Sequence, residues 1–169
     1  MHKYKYFNNV KRDAAFSENP CQFCGSTQDC LEGVFFGRLD IESVCLECFA
    51  EKRAYVEIPA YVQRRVKLNS SRKINDLMFT PPIPWVQHND WPVCCDDFMQ
   101  YIGEWEQEEF DGFSNDKKGI VLLEELLAEV TRSRVDDITV LWDDLGYDTV
   151  AYVFKCPQCG KMLVVCQSY

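Results

Sequence analysis

The sequence lacks several features that would define whole classes of protein. No apolar run approaches the ~18 residues of a membrane-spanning helix. Residues 1–7 lack the apolar stretch of roughly 7–15 residues that marks a signal peptide, so we expect a cytoplasmic protein. There are only two histidines, and no phosphate-cradling glycine loop, nucleophile elbow or paired-histidine protease motif is present. The known catalytic motifs therefore give no support to an enzyme.

Positive charge is also scarce. The chain of 169 residues has 18 Lys and Arg against 27 Asp and Glu, a formal net charge of −9. Residues 1–80 carry a balance of +2 and residues 81–169 a balance of −11. Because phosphate binding requires cations, this balance disfavours DNA or RNA as a partner, and only the short basic run 63–67 favours a nucleic-acid-associated role. The acidic second half favours a basic protein partner or simply supports solubility.

Cysteine, in contrast, is abundant, with ten residues. In a chain without an export signal, cysteines indicate a reducing compartment and metal binding rather than disulfides. Eight of them fall into pairs. These pairs are Cys21 with Cys24, Cys45 with Cys48, Cys94 with Cys95, and Cys156 with Cys159.

The first two pairs have the spacing of a four-thiolate zinc ribbon. Two residues separate Cys21 from Cys24 and Cys45 from Cys48, and twenty residues lie between the pairs. Two intervening residues allow a tight turn to direct both sulfurs at one ion, and a following glycine, Gly25, permits positive φ. The alternatives are a redox dithiol or buried free thiols. A redox dithiol would lie at the start of a strong helix, and the polar residues after Cys24 do not predict such a helix.

The tail pair, Cys156 and Cys159, needs two further ligands to complete a second zinc site. Cys94 and Cys95 are the favoured candidates, with His88 or Asp97 as alternatives. Three pairings of the four cysteine pairs are possible, and only the ribbon spacing argues for the first pair with the second. The remaining two cysteines, Cys30 and Cys166, are expected to act as small buried hydrophobic residues.

The hydrophobic pattern predicts β-strands beside the ribbon cysteines and beside the tail pair of cysteines. Residues 34–36 and 41–44 are expected to form the two strands of the ribbon, and a short helix is expected within 46–55. Near the C-terminus, residues 149–155 and 162–166 are predicted to pair as a hairpin with Cys156 and Cys159 at its tip.

Helical periodicity is clearest in the acidic second half. Residues 119–130 show an amphipathic pattern, and residues 135–145 are expected to form another helix capped by Asp136 or Asp137. Residues 94–105 are expected to form a short helix or turn. The fold class predicted is α+β, with one domain over 1–169 that includes a zinc-ribbon-like module at 17–55 and a zinc-knuckle hairpin at 149–169.

The cysteine pairs and the tail together resemble the CbrC family, a largely uncharacterised family whose named member is a bacterial colicin tolerance protein. The most specific match is the ending, Ala-Tyr-Val-Phe-Lys-Cys-x-x-Cys-Gly-Lys, at 151–161. Further matching segments are residues 21–25, 45–48, 80–81, 95–98 and 101–103, with tryptophans at 85 and 91. The family pattern places histidine where this chain has Cys94, an exchange of one zinc ligand type for another.

The resemblance implies a zinc-bearing bacterial protein linked to toxin tolerance, with no known catalytic activity. Together with the acidic second half, it favours a non-enzymatic protein that confers colicin or bacteriocin tolerance, or toxin immunity, by binding a toxin or a host factor. The acidic segment 104–116 would attract a basic toxin. Two other hypotheses are kept open. One is an enzyme that uses an incompletely ligated second zinc, and the other is a nucleic-acid-associated zinc ribbon.

Overall fold

The computed structural model describes residues 3–169 and groups them into two compact units. One unit contains the described chain up to residue 84 together with residues 96–98, and the other contains residues 85–95 and 99–169. The predicted fold class is confirmed, because short helices accompany small antiparallel sheets and two clusters of four cysteines. That residues 1–169 form one domain stays a prediction.

The elements are short. The strands are β1 Cys30–Glu32, β2 Ser43–Cys45, β3 Val93–Cys94, β4 Asp97–Phe98, β5 Gln100–Trp105, β6 Thr149–Lys155 and β7 Met162–Ser168. The helices are α1 Val10–Asp13, α2 Leu46–Ala50, α3 Ala60–Gln63, α4 Ser70–Met78, α5 Gln107–Phe113, α6 Gly119–Leu126, α7 Glu129–Arg132 and α8 Ile138–Asp144. No helix in the described part of the chain is both long and apolar enough to cross a membrane.

In the first unit, the ribbon hairpin is formed by β1 and β2, which pair antiparallel with Cys30 opposite Cys45. The expectation of a strand at 34–36 was wrong. The chain turns at Gly33, whose N–H bonds to Glu42 O at 2.8 Å, and a Cβ at Gly33 would clash with the carbonyl of Ile41. Phe36 is nevertheless buried, and its ring stacks on that of Phe49 at 6.0 Å. Its apolar character therefore reflects core packing rather than a sheet ladder.

The second unit is centred on the antiparallel sheet β5-β6-β7. Strand β6 is confirmed at the predicted bounds, and β7 extends two residues beyond the predicted end, so that Thr149 pairs with Ser168. Residues of β6, β7 and the surrounding helices form one apolar core. Its fully packed members are Phe110, Leu123, Leu127, Leu145, Ala151, Val153 and Val164.

The expectation of a helix or turn at 94–105 holds only at residues 95–96, which form a turn, and was wrong for residues 100–105, which form strand β5. Tyr101 and Gly103 face inward while Gln100 and Glu104 do not, so the segment alternates as a half-buried strand does. A register shift between Tyr101 and Gly103 marks a bulge. That irregularity disturbs the period-two pattern that would have indicated a strand.

The helix predicted over 119–130 is divided into α6 and α7. Leu127 is extended and forms a parallel bridge with Val164, and the N–H of Ala128 donates to Val164 O at 2.8 Å. Pairing with the sheet edge therefore replaces the helical hydrogen bonds at this point. The next helix is confirmed as α8, and the side chain of Asp137 accepts from the N–H of Thr139 at 2.8 Å.

Candidate metal centres

The first knuckle is a tight turn between Cys21 and Gly25. The N–H of Gly25 donates to Cys21 O at 2.8 Å, and the N–H of Cys21 donates to Ser26 O at 2.8 Å. Gly25 has φ of +74°, a conformation that glycine adopts without the steric strain of a side chain. The backbone thus holds both knuckle cysteines on one side of the turn.

The second half of this centre lies where β2 meets α2. Cys45 ends the strand and is the N-cap of the helix, and the N–H of Cys48 points at Cys45 Sγ from 3.5 Å. Gln22, inside the first knuckle, joins the two halves. Its N–H donates to Ser43 O at 3.0 Å, and its Oε1 accepts from Ser43 N at 3.0 Å.

The four sulfurs of this ribbon cluster, Cys21, Cys24, Cys45 and Cys48, lie within 4.8 Å of one another. The sulfurs of Cys24 and Cys45 are 3.6 Å apart. A tetrahedron of zinc–sulfur bonds of ~2.3 Å has sulfur–sulfur edges of about 3.8 Å, whereas a disulfide bond measures about 2.05 Å. The cluster therefore has the dimensions of a single-ion site.

The electrostatics of the ribbon cluster favour binding of a cation. Burial raises the pKa of Cys21, but the backbone N–H groups of Cys45, Cys24 and Phe23 outweigh burial and lower it to about 6. Burial raises the pKa of Cys45 and, more strongly, that of Cys48. Several thiolates can share this site only when a positive ion compensates their charge.

The tail knuckle repeats the first one at the tip of the β6–β7 hairpin. The N–H of Gly160 donates to Cys156 O at 2.9 Å, and the N–H of Cys156 donates to Lys161 O at 2.8 Å. Gly160 has φ of +75°. The two knuckles, far apart in sequence, therefore have the same turn and the same two backbone hydrogen bonds.

Cys94 and Cys95 lie beside the tail knuckle, within the second unit. The sulfurs of Cys94, Cys95, Cys156 and Cys159 lie within 4.8 Å of one another and form the tail cluster. Cys94 Sγ is 3.5 Å from Cys159 Sγ and 3.9 Å from Cys95 Sγ. Cys95 has φ of +53°, which is uncommon for a residue with a side chain. This conformation accompanies the placement of two adjacent cysteines in one cluster.

The tail cluster shows the same electrostatic pattern as the ribbon cluster. Burial raises the pKa of Cys156, but the backbone N–H groups of Cys159 and Gln158 outweigh it and lower the value to about 7. The pKa of Cys94 is raised to about 12 by burial and by the neighbouring thiols. As in the ribbon cluster, backbone N–H groups stabilise one thiolate, here that of Cys156. The other thiols of the cluster can ionise together with it only when a cation compensates their charge.

The alternative ligands lie elsewhere. His88 is exposed, while the carboxylate of Asp97 accepts from Lys5 Nζ at 2.6 Å and Tyr6 Oη at 2.7 Å. Cys30 is buried, as expected, and its thiol points at Ser26 O from 3.1 Å. Cys166 is half-buried against the core of the second unit. None of these four residues joins a metal-ligating group within residues 3–169.

The contacts of Asp96, which follows Cys95 in the sequence, were not predicted. Asp96 accepts hydrogen bonds from Lys67 N at 2.7 Å and Leu68 N at 2.9 Å, and it pairs with Lys73 Nζ at 3.0 Å, all inside the first unit. The two N–H donors and the Lys73 ammonium lower the pKa of Asp96 to about 2. Asp96 has φ of +54°. Aspartate tolerates this left-handed conformation, so an aspartate directly after two cysteines was the sequence signal for a turn here.

The chain belongs to the uncharacterised protein family UPF0167, whose family model matches residues 1–167. No curated protein and no solved structure is significantly similar to it.

Proposed function

We propose that each cysteine cluster binds one zinc ion as a structural centre, and that the protein acts by binding another protein rather than by catalysis. The observation that carries the zinc assignment is the closeness of four thiols in each cluster. Four protein ligands complete the tetrahedral shell of Zn²⁺ and leave no position for water or substrate. A centre of this kind stabilises the fold and supplies no reaction.

Sulfur spacing favours a single ion over an iron–sulfur cluster. Tetrahedral four-sulfur sites take zinc or iron. Three pairs of sulfurs lie 3.5–3.9 Å apart, and all four sulfurs of each cluster lie within 4.8 Å. These separations fit one metal atom, whereas a cluster of several irons would hold its cysteine sulfurs farther apart. Elemental analysis should give two zinc atoms per chain and no iron, and the protein should be colourless. Stoichiometric iron with visible absorbance would contradict the zinc assignment.

We further propose that the partner is a basic protein, and that binding it confers colicin or toxin tolerance of the CbrC type. The resemblance to that family motivates the biological role, and the charge of the second unit supports a basic partner. Six acidic residues of this unit are exposed within α5, α6 and α7. They are Glu108, Glu109, Asp111, Glu124, Glu125 and Glu129.

A cleft in the same unit could receive a basic side chain. It has a volume of about 310 Å³ and lies along α6, α7 and the start of α8. Its apolar lining comes from Leu127, Val135 and Ile138. Three acidic groups, Glu124, Asp136 and Asp137, outnumber the single cation of the lining, Arg132. The aliphatic stem of a lysine or arginine would contact the apolar lining while its charged end meets the carboxylates.

The test is association with a purified cationic nuclease toxin. Replacing Glu124 and Glu129 with Gln and Asp136 with Asn should slow association about 10-fold at low salt and remove most of its salt dependence. The matched control replaces three exposed acids of the first unit, Glu18, Glu32 and Glu47, with Gln, and should bind like the unaltered protein. Equal association rates for both variants would contradict the electrostatic proposal.

A further inference from the structure

The two clusters differ in how far solvent reaches their sulfurs. In the ribbon cluster, Cys21, Cys45 and Cys48 are buried, with 3%, 3% and 6% of their surface exposed, and Cys24 alone is exposed. In the tail cluster only Cys156 is buried, at 1%. Cys95 and Cys159 are exposed there, and Cys94 is half-buried. An oxidant dissolved in water therefore reaches several thiols of the tail cluster but only one of the ribbon cluster.

One close pair of sulfurs in the tail cluster includes one of these exposed thiols. Cys159 Sγ lies 3.5 Å from Cys94 Sγ, so a modest movement brings the sulfurs to bonding distance. Cys95 Sγ lies farther from Cys94 Sγ, at 3.9 Å, and belongs to the adjacent residue. The geometry favours a cross-link between the β3 segment and the hairpin knuckle.

We infer that the tail cluster is a site of oxidative modification, at which hydrogen peroxide joins Cys94 and Cys159 in a disulfide and the tail metal ion is released. The inference rests on the proposed function, because it presupposes an ion in this cluster. The ribbon cluster keeps its ion under the same conditions. The protein would therefore have one permanent centre and one centre whose occupancy responds to peroxide.

The reaction balances with peroxide as the two-electron oxidant. The Cys159 thiolate attacks one peroxide oxygen, the O–O bond breaks, and a sulfenic acid and hydroxide form. The Cys94 thiolate then attacks the Cys159 sulfur, the S–S bond forms, and the S–O bond breaks to release a second hydroxide. Two thiolates have lost two electrons in total. Cys95 and Cys156 remain as only two ligands, too few to retain a four-coordinate ion.

The ribbon cluster resists this sequence because its exposed thiol has a poorly accessible partner. Cys24 Sγ lies 3.6 Å from Cys45 Sγ, but Cys45 is buried, and β2 and α2 fix its position. Cys45 and Cys48 sit on the strand and helix of the ribbon core, so moving them toward Cys24 would disturb packed residues. Solvent access to its thiols therefore favours the tail cluster as the first to react.

The experiment treats the full-length zinc-loaded protein with hydrogen peroxide. Zinc release is followed with a chromophoric chelator, and the disulfides are located by differential alkylation and mass spectrometry. We expect one zinc equivalent to leave at least ~5-fold faster than the second, together with a Cys94–Cys159 disulfide. Cys166→Ala, which removes a thiol of the same hairpin outside the cluster, should give the same release curve.

Three results would overturn the inference. They are release of both ions at one rate, oxidation of the ribbon cysteines first, and a mapped disulfide that joins a different pair. Metal analysis before oxidation distinguishes failure of the proposed function from failure of this inference. Fewer than two zinc ions at the start would refute that function. The disulfide map would still show whether peroxide joins Cys94 to Cys159.

Discussion

The sulfur atoms of Cys94 and Cys159 lie 3.5 Å apart, although 65 positions separate them in the sequence. Cys94 ends a two-residue strand, and Cys159 belongs to the turn between β6 and β7. Neither segment by itself contains enough ligands to complete a four-coordinate metal site. The tail cluster therefore exists only when the second unit is folded, and metal binding there should be coupled to folding.

Removal of metal tests that coupling. Structural zinc supplies ~10–16 kcal/mol in small zinc peptides. If the apoprotein lost only ~4 kcal/mol of stability, its Tm would fall by roughly 8–16 °C, since each kcal/mol corresponds to about 2–4 °C in a chain of this size. Thermal unfolding before and after treatment with a strong chelator measures the change, and readdition of zinc should restore the Tm. An unchanged Tm after verified metal loss would contradict structural roles for both ions.

A buried tyrosine–carboxylate contact predicts a stability change in the first unit. Tyr6 Oη donates to Asp97 Oδ1 at 2.7 Å, and both residues are buried. Tyr6→Phe should lower the free energy of unfolding by ~1.5–3 kcal/mol, as expected for a hydrogen bond to a charged group. Urea denaturation measures the difference.

Tyr4 supplies the matched control. Its buried hydroxyl has no hydrogen-bond partner among the described residues, so Tyr4→Phe removes a polar atom without breaking a bond. We expect a change of less than ~0.5 kcal/mol, or a slight gain in stability. Equal losses in the two variants would show that Tyr6 contributes through packing and not through Asp97.

The knuckle glycine Gly160 is predicted to be needed for its backbone conformation. A Cβ built at Gly160 meets nothing within 4 Å, but φ there is +75°. Gly160→Ala should therefore cost ~1–2 kcal/mol from backbone strain alone. Gly112 in α5 is the control, because a Cβ there also meets open space and its φ lies outside the left-handed region. Gly112→Ala should raise the free energy of unfolding by ~0.5–1 kcal/mol through helix propensity. A loss of stability in Gly112→Ala equal to that in Gly160→Ala would contradict the backbone explanation.

Cys166 should be nearly inert to alkylation. Burial raises its pKa from 9.0 to about 12, which lowers the thiolate fraction at pH 8 by about three orders of magnitude. Its folded pKa lies above the unfolded value, so the neutral thiol favours the folded state until pH rises above about 9, and this contribution falls at higher pH. Iodoacetamide labelling of the metal-free protein should modify exposed Cys159 long before Cys166. Equal rates at pH 8, with the protein still folded, would contradict the raised pKa of this thiol.

The local sequence predicted those parts of the fold that depend on nearest neighbours. Strand β6 and the Asp137-capped helix α8 follow from residue type and periodicity over a few positions. The break at Leu127 does not, because it arises from pairing with Val164 on β7, a contact that helical periodicity in α6 cannot reveal.

The candidate sites show the same division. The spacing of a zinc ribbon links Cys21 and Cys24 to Cys45 and Cys48, because that turn chemistry has a characteristic sequence. Adjacent cysteines have no such characteristic spacing, so Cys94 and Cys95 could be joined to the tail only as one of three pairings. The left-handed backbone of Cys95, which accompanies this grouping, depends on the surrounding fold and has no signal in the cysteines themselves.

The most direct test of two structural zinc centres is the metal content of the purified protein with and without Cys156→Ser. Cys156 is the only buried cysteine of the tail cluster, and replacing it leaves the ribbon cluster intact. We predict two zinc ions per chain, falling to about one in the variant. One zinc ion in both proteins would contradict the second centre and leave Cys94, Cys95, Cys156 and Cys159 as free thiols.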